Sequence, residues 1–119
     1  MSSGPEPHAL LAAERASAAS RIAALERDLA AIIEAASQAN GDDEHDPEGA
    51  TIAFERQHTA ALLDQARDQI RHIDAALRRV RDGSYGRCER CGQSIAAGRL
   101  AARPVTTTCI TCASSRRPR

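Results

Sequence analysis

Over two long stretches of this chain, apolar residues recur on alternating steps of three and four. In the first, from about His8 to Ala39, Leu11, Ala18, Ile22, Leu25, Leu29, Ile32 and Ala36 form one stripe, weakened only at Arg15. No Gly or Pro interrupts it, so the spacing predicts an α-helix with a single apolar face. Asn40-Gly41 supplies the stop, because both residues tolerate the left-handed conformation at a helix C-terminus. The second stripe is Leu63, Ala66, Ile70, Ile73, Leu77 and Val80. Asp46-Pro47-Glu48 reads as its start, with Asp as N-cap, Pro in the first turn and an acid facing the positive end of the dipole. Asp82-Gly83 reads as its end.

Two stripes of equal period joined by a short polar loop predict an antiparallel helical hairpin, a coiled coil over residues 8–82. Each arm would be about 45–50 Å long. Residues 1–7 read as a disordered leader. After Gly83 the periodicity gives way to Gly, Ser, Tyr, Cys, Pro and Thr, and a separate small module is predicted over 83–113. Ser114 to Arg119 reads as a frayed basic tail. The fold class is therefore mostly α: a helical hairpin, then a small finger.

Composition narrows this picture. The 119 residues are 42% hydrophobic but include no Trp, one Tyr (Tyr85) and one Phe (Phe54). An Ala-rich set of this kind fills a thin seam between helices rather than a thick core, and a scaffold so small usually needs a staple. The net charge of zero hides a segregation. Residues 1–77 carry six Arg against fourteen Asp and Glu, whereas residues 78–119 carry ten Arg against Asp82 and Glu89. An acidic first part and a basic last part predict two differently charged contact surfaces. The acids are densest at 42–48, the apex of the hairpin, and a rod with an acidic apex is suited to reaching into something. Carboxylates there would compete for or support a Mg²⁺ ion, or repel phosphates. No signal-peptide pattern and no bilayer-spanning apolar run is visible, which predicts a cytoplasmic protein without a membrane partner.

The staple is in the cysteines. Cys88-x-x-Cys91 and Cys109-x-x-Cys112, seventeen residues apart, have the spacing of a four-thiolate zinc site. Each pair offers two sulfurs on one tight turn, and two pairs complete a tetrahedron. Four thiolates leave no open position, so one structural Zn²⁺ is expected rather than a catalytic one. In a reducing compartment two disulfides are the weaker reading. Arg87 and Arg90 would offset the formal charge of −2 on such a centre.

Further residues around these cysteines carry a family resemblance. Gly83-Ser84-Tyr85-Gly86-Arg87-Cys88-Glu89-Arg90-Cys91-Gly92, Ile95, Arg99-Leu100-Ala101-Ala102-Arg103-Pro104 and Cys109-Ile110-Thr111-Cys112 resemble the zinc finger of the DksA/TraR family. The preceding hairpin is in the family's order. The resemblance implies direct binding to bacterial RNA polymerase, the coiled coil entering the secondary channel with acidic residues at its tip near the catalytic centre. It also implies altered stability of initiation complexes, in longer members together with the alarmone ppGpp, and no promoter recognition, so sequence-specific DNA binding is not expected. Longer members carry D-x-x-D-x-A at the tip. A gapless count back from Cys88 puts His45, Glu48 and Ala50 at those places, with Asp46 one position from the first acid. The implied functional tip at 40–50 therefore comprises Asp43, His45, Asp46, Glu48 and Ala50, Asp46 and Glu48 foremost.

No Ser-His-Asp order, Gly-rich phosphate loop or pocketed carboxylate pair is present, so no enzyme is expected. His8, His58 and His72 read as surface residues. Two other functions fit the same text. Arg78, Arg79 and Arg81, with Arg87, Arg90, Arg99, Arg103 and the tail, would contact phosphate in a zinc-ribbon nucleic-acid-binding module, although no interleaved aromatics support base stacking. A coiled-coil adaptor would dimerise through the Ala-Leu seam. A polymerase regulator is expected to be a monomer.

Overall fold

A computed structural model describes residues 6–38 and 47–115. Four helices follow in chain order: α1 (Pro7–Gln38), α2 (Pro47–Asp82), α3 (Ala97–Ala102) and α4 (Ile110–Ser115). The two long helices form an antiparallel hairpin. Arg15 on α1 pairs with Asp74 on α2, and Glu26 pairs with Arg67, so numbers rise on one helix as they fall on the other. The described residues hold no strand, only an isolated antiparallel bridge between Arg87 and Ser94. None of their helices is long and apolar enough to cross a membrane. The proposed N-cap Asp46 and the Asn40-Gly41 stop lie outside the described residues.

The chain divides into two compact units. The first, Ala16–Ile70, is a helix pair with a thin seam. Ala18, Leu63 and Ala66 are buried there, while Ile22, Leu25, Leu29, Ile32, Ala36 and Ile70 are half-buried. Only one neighbouring helix covers each stripe, which is why few of its residues lose all contact with solvent. Off the seam, Phe54 remains 68% exposed and stacks on His58 one turn later, with ring centroids 6.1 Å apart.

The second unit joins Met1–Arg15 to Arg71–Arg119 and holds most of the fully buried side chains. Leu11 and Ile73 have no solvent exposure, and Ala76, Cys88 and Ile95 are buried with them. Ala76 lies beside the predicted stripe rather than on it. A heptad stripe anticipates one partner helix, but here α2 shares its unit with the finger as well, so its apolar strip widens. Gly83, with φ of 86°, ends α2. The N–H groups of Ser84 and Tyr85 turn back to the carbonyl of Arg79, at 3.0 and 3.1 Å. This is the left-handed glycine termination that satisfies the helix's last carbonyls. The short helices α3 and α4 have no periodic signal in the sequence. Ser114 and Ser115 belong to α4, the Ser114 hydroxyl donating to the Ile110 carbonyl at 2.8 Å, rather than to a tail.

Candidate metal centre

The first cysteine pair sits on a knuckle closed by the isolated antiparallel bridge between Arg87 and Ser94. The Cys88 N–H donates to the Gln93 carbonyl at 2.8 Å, and the Ile95 N–H donates to the Gly86 carbonyl at 2.7 Å. The chain reverses between them through Gly92, φ 78°, whose N–H donates to the Cys88 carbonyl at 2.9 Å. Gly86, φ 88°, lets the incoming chain turn, and a Cβ there would meet the Leu100 side chain of α3 at 3.5 Å. Both positions fall where a side chain is strained, which explains a glycine on either side of the pair.

The second pair is carried by the start of α4. The Cys112 N–H points at the Cys109 sulfur, 3.5 Å away, and the Ala113 N–H donates to the Cys109 carbonyl. Its lead-in is held by α3: Arg99 Nε donates to the Thr108 carbonyl at 2.9 Å, and Nη2 donates to the Thr106 hydroxyl at 3.1 Å. Tyr85 fixes the far end, its hydroxyl donating to the Pro104 carbonyl at 2.8 Å. Burial raises the Tyr85 pKa, and Glu14 of α1 adds to the shift.

These supports bring the sulfurs of Cys88, Cys91, Cys109 and Cys112 within 4.8 Å of one another. All four are free thiols, Cys88 buried and Cys91 exposed. The sulfurs of Cys91 and Cys109 are 3.8 Å apart. A tetrahedral zinc at about 2.3 Å from each sulfur would separate them by about 3.8 Å, so the set fits one structural zinc. The electrostatics point the same way. Burial works to raise the Cys88 pKa, but the backbone N–H groups of Cys109, Cys91 and Arg90 outweigh it and bring it down to about 6. The Cys112 N–H likewise lowers Cys109. Cys112, facing Cys109 first and then burial and the other sulfurs, is pushed up to about 12. A cluster that stabilises thiolates yet resists losing its last proton is one that a dication would complete.

The arginines divide into two kinds. Arg90 Nη1 reaches the Cys112 carbonyl at 3.2 Å and so ties the first knuckle to the second, while Arg99 is held inside the finger. Arg87 and Arg103 are exposed. The tip residues Asp43, His45 and Asp46 lie outside the described residues. Glu48, in the first turn of α2, and Ala50 are exposed. The sequence groups Arg79 with Arg78 and Arg81 as cations able to contact phosphate. Arg79 instead packs half-buried against the finger, with its Nη2 donating to the Arg87 carbonyl at 2.7 Å. Composition gives no signal for this, because Arg78 and Arg81 beside it are exposed.

A helical hairpin leading into a finger with four clustered cysteines defines a small class of zinc-finger proteins. Residues 83–117 match the prokaryotic dksA/traR C4-type zinc finger. The RNA polymerase-binding transcription factor DksA of Caulobacter vibrioides is 53% identical over 47 residues, 40% of this chain and 33% of that protein. An uncharacterized protein of Aquifex aeolicus is 36% identical over 84 residues, 67% of this chain and 58% of its own length. The structure of transcription factor DksA2 from Pseudomonas aeruginosa matches with a TM-score of 0.77 at 27% identity, over 91% of this chain and 78% of that one. The finger at 83–117 is of the dksA/traR C4 type, its four cysteines set for one structural zinc, and the chain that carries it shares the fold of DksA2. The matched stretch spans about a third of the length of the Caulobacter relative.

Proposed function

We propose that this protein is a non-enzymatic cytoplasmic regulator of transcription that binds bacterial RNA polymerase directly as a monomer. Cys88, Cys91, Cys109 and Cys112 are its zinc ligands. The observation that carries the reading is the finger at 83–117 following a hairpin that superposes on a DksA2 structure over most of both chains. The match to a protein named for RNA polymerase binding supports the same partner. The hairpin apex enters the secondary channel, with Asp46 and Glu48 as the principal acids of a tip that includes Asp43, His45 and Ala50. Zinc supplies no chemistry to a substrate. It holds the two knuckles together, with Arg90 and Arg99 bracing them from within, while the exposed Arg87 and Arg103 give the finger a basic surface toward polymerase.

The test is photo-crosslinking of the zinc-loaded protein, with the probe at Glu48, to core RNA polymerase. The expected result is a crosslink beside the catalytic centre, at the inner end of the secondary channel. Binding with crosslinks only to the outer surface would remove the tip from the mechanism. No binding by independent titration would remove polymerase as the partner and turn attention to the nucleic-acid reading of the exposed arginines.

A further inference from the structure

The C-terminal turns of α2 and the two cysteine knuckles are joined by one polar path. It begins at Arg79, whose guanidinium lies against the finger with about a fifth of the side chain exposed. Its Nη2 donates to the Arg87 carbonyl at 2.7 Å and makes a longer contact, 3.4 Å, to the Ser84 carbonyl. Its Nη1 faces the Glu89 carboxylate at 3.8 Å. Glu89 stands between Cys88 and Cys91, and its other carboxylate oxygen accepts from the Thr107 hydroxyl at 2.9 Å. The backbone repeats the link, the Glu89 N–H donating to the Thr107 carbonyl at 2.9 Å. Thr107 is two residues before Cys109. The path therefore runs from α2 to the first knuckle and on to the second.

Arg79 holds its place at a cost. Its Nε is buried without a hydrogen-bond partner, the single such side-chain atom found among the described residues. An unmet buried donor is unfavourable, so the contacts of the other nitrogens must offset it. Those contacts depend on where residues 87–89 lie, and that in turn depends on the knuckles being closed. The carbonyl of Arg79 meanwhile receives the Ser84 and Tyr85 N–H groups that terminate α2. The same residue thus grips the finger with its side chain and ends the helix with its backbone.

We propose that Arg79 is the positioning residue through which zinc loading of the finger is transmitted to the end of α2. With zinc bound, both knuckles hold Glu89 and the Arg87 carbonyl in place, and Arg79 pins the last turns of the helix to them. Without zinc the second knuckle releases Thr107, Glu89 loses its support, and the end of α2 frays. The inference rests on the four-cysteine zinc reading.

The test is amide hydrogen exchange over residues 76–85 of the full chain, with zinc and after chelation, in the wild type and in Arg79→Ala, Arg79→Lys and Arg78→Ala. Zinc content is measured alongside. Losing one charge-assisted hydrogen bond corresponds to about a tenfold change in an opening equilibrium, so chelation should speed wild-type exchange by about that factor. Arg79→Ala should keep one zinc per chain yet exchange as fast with zinc as without it. Arg79→Lys, which cannot reach two carbonyls and a carboxylate from one planar group, should behave like the Ala variant. Arg78→Ala, altering an exposed neighbour, should retain the wild-type response. A wild-type response persisting in Arg79→Ala would overturn the proposal, as would a zinc-loaded wild type indifferent to chelation. Absence of zinc from the wild type would instead refute the metal assignment, and the proposal with it.

Discussion

Cys91 is the most exposed of the four cysteines and the one whose sulfur stands 3.8 Å from Cys109 across the two knuckles. Its replacement removes a ligand while disturbing little packing, so it isolates the metal's contribution. Cys91→Ser should lose the bound zinc, read as metal content per chain, with far-ultraviolet ellipticity nearly unchanged. Full zinc content in that variant would rule Cys91 out as a ligand. A different residue-scale effect operates at Asp74. The hydrogen bond from Arg15, at 2.6 Å, holds its carboxyl below the usual carboxylate range. A carboxyl whose pKa is lowered in the folded state stabilises it above the unfolded pKa, and that contribution disappears as pH falls through the folded value. Asp74→Asn should therefore lower the melting temperature slightly near neutral pH and make no difference in acid. The effect is small because both side chains are well exposed and solvent screens the pair.

For the helices, burial decides which positions matter. Ile73 has no exposure, so Ile73→Ala should destabilise by about 2–5 kcal/mol through lost transfer energy and a residual cavity. Phe54 is larger but 68% exposed, and Phe54→Ala should change stability by no more than about 0.5 kcal/mol. Chemical denaturation of the two variants checks both, and equal losses would mean that the burial pattern does not describe the protein in solution. The long helices were legible because their periodicity runs for many turns and their ends carry Pro47 and Gly83. Helices α3 and α4 were not. Each is six residues long, too short to show a period, and each is held by contacts from elsewhere, such as Arg99 reaching Thr106 and Thr108.

At the scale of the whole molecule, metal and helix content separate. Helices α3 and α4 contribute six residues each against 32 and 36 in α1 and α2. Structural zinc contributes folding energy directly to the module that binds it. Chelation should therefore collapse the finger with only a minor loss of ellipticity. Tyr85, the sole tyrosine in a chain without tryptophan, provides the reporter, because its hydroxyl is bonded to Pro104 within the finger. Its fluorescence should change on chelation and recover on adding zinc back. A large loss of ellipticity instead would show that the hairpin cannot stand without the metal.

The sequence alone determined the local and repetitive features of this protein. Stripe periodicity, glycine at the end of α2 and paired cysteine spacings each depend on residues close in the chain, so they can be read along it. The segregation of acidic and basic residues is likewise present in the text. Tertiary structure decided what depends on residues far apart. It buried Ala76 beside the stripe, and it selected Arg79 from three neighbouring arginines to face Glu89 and the Arg87 carbonyl. It also drew Thr107 onto Glu89 across eighteen positions. An arginine's role depends on which carbonyls and carboxylates come within reach of its guanidinium, and the fold sets that distance.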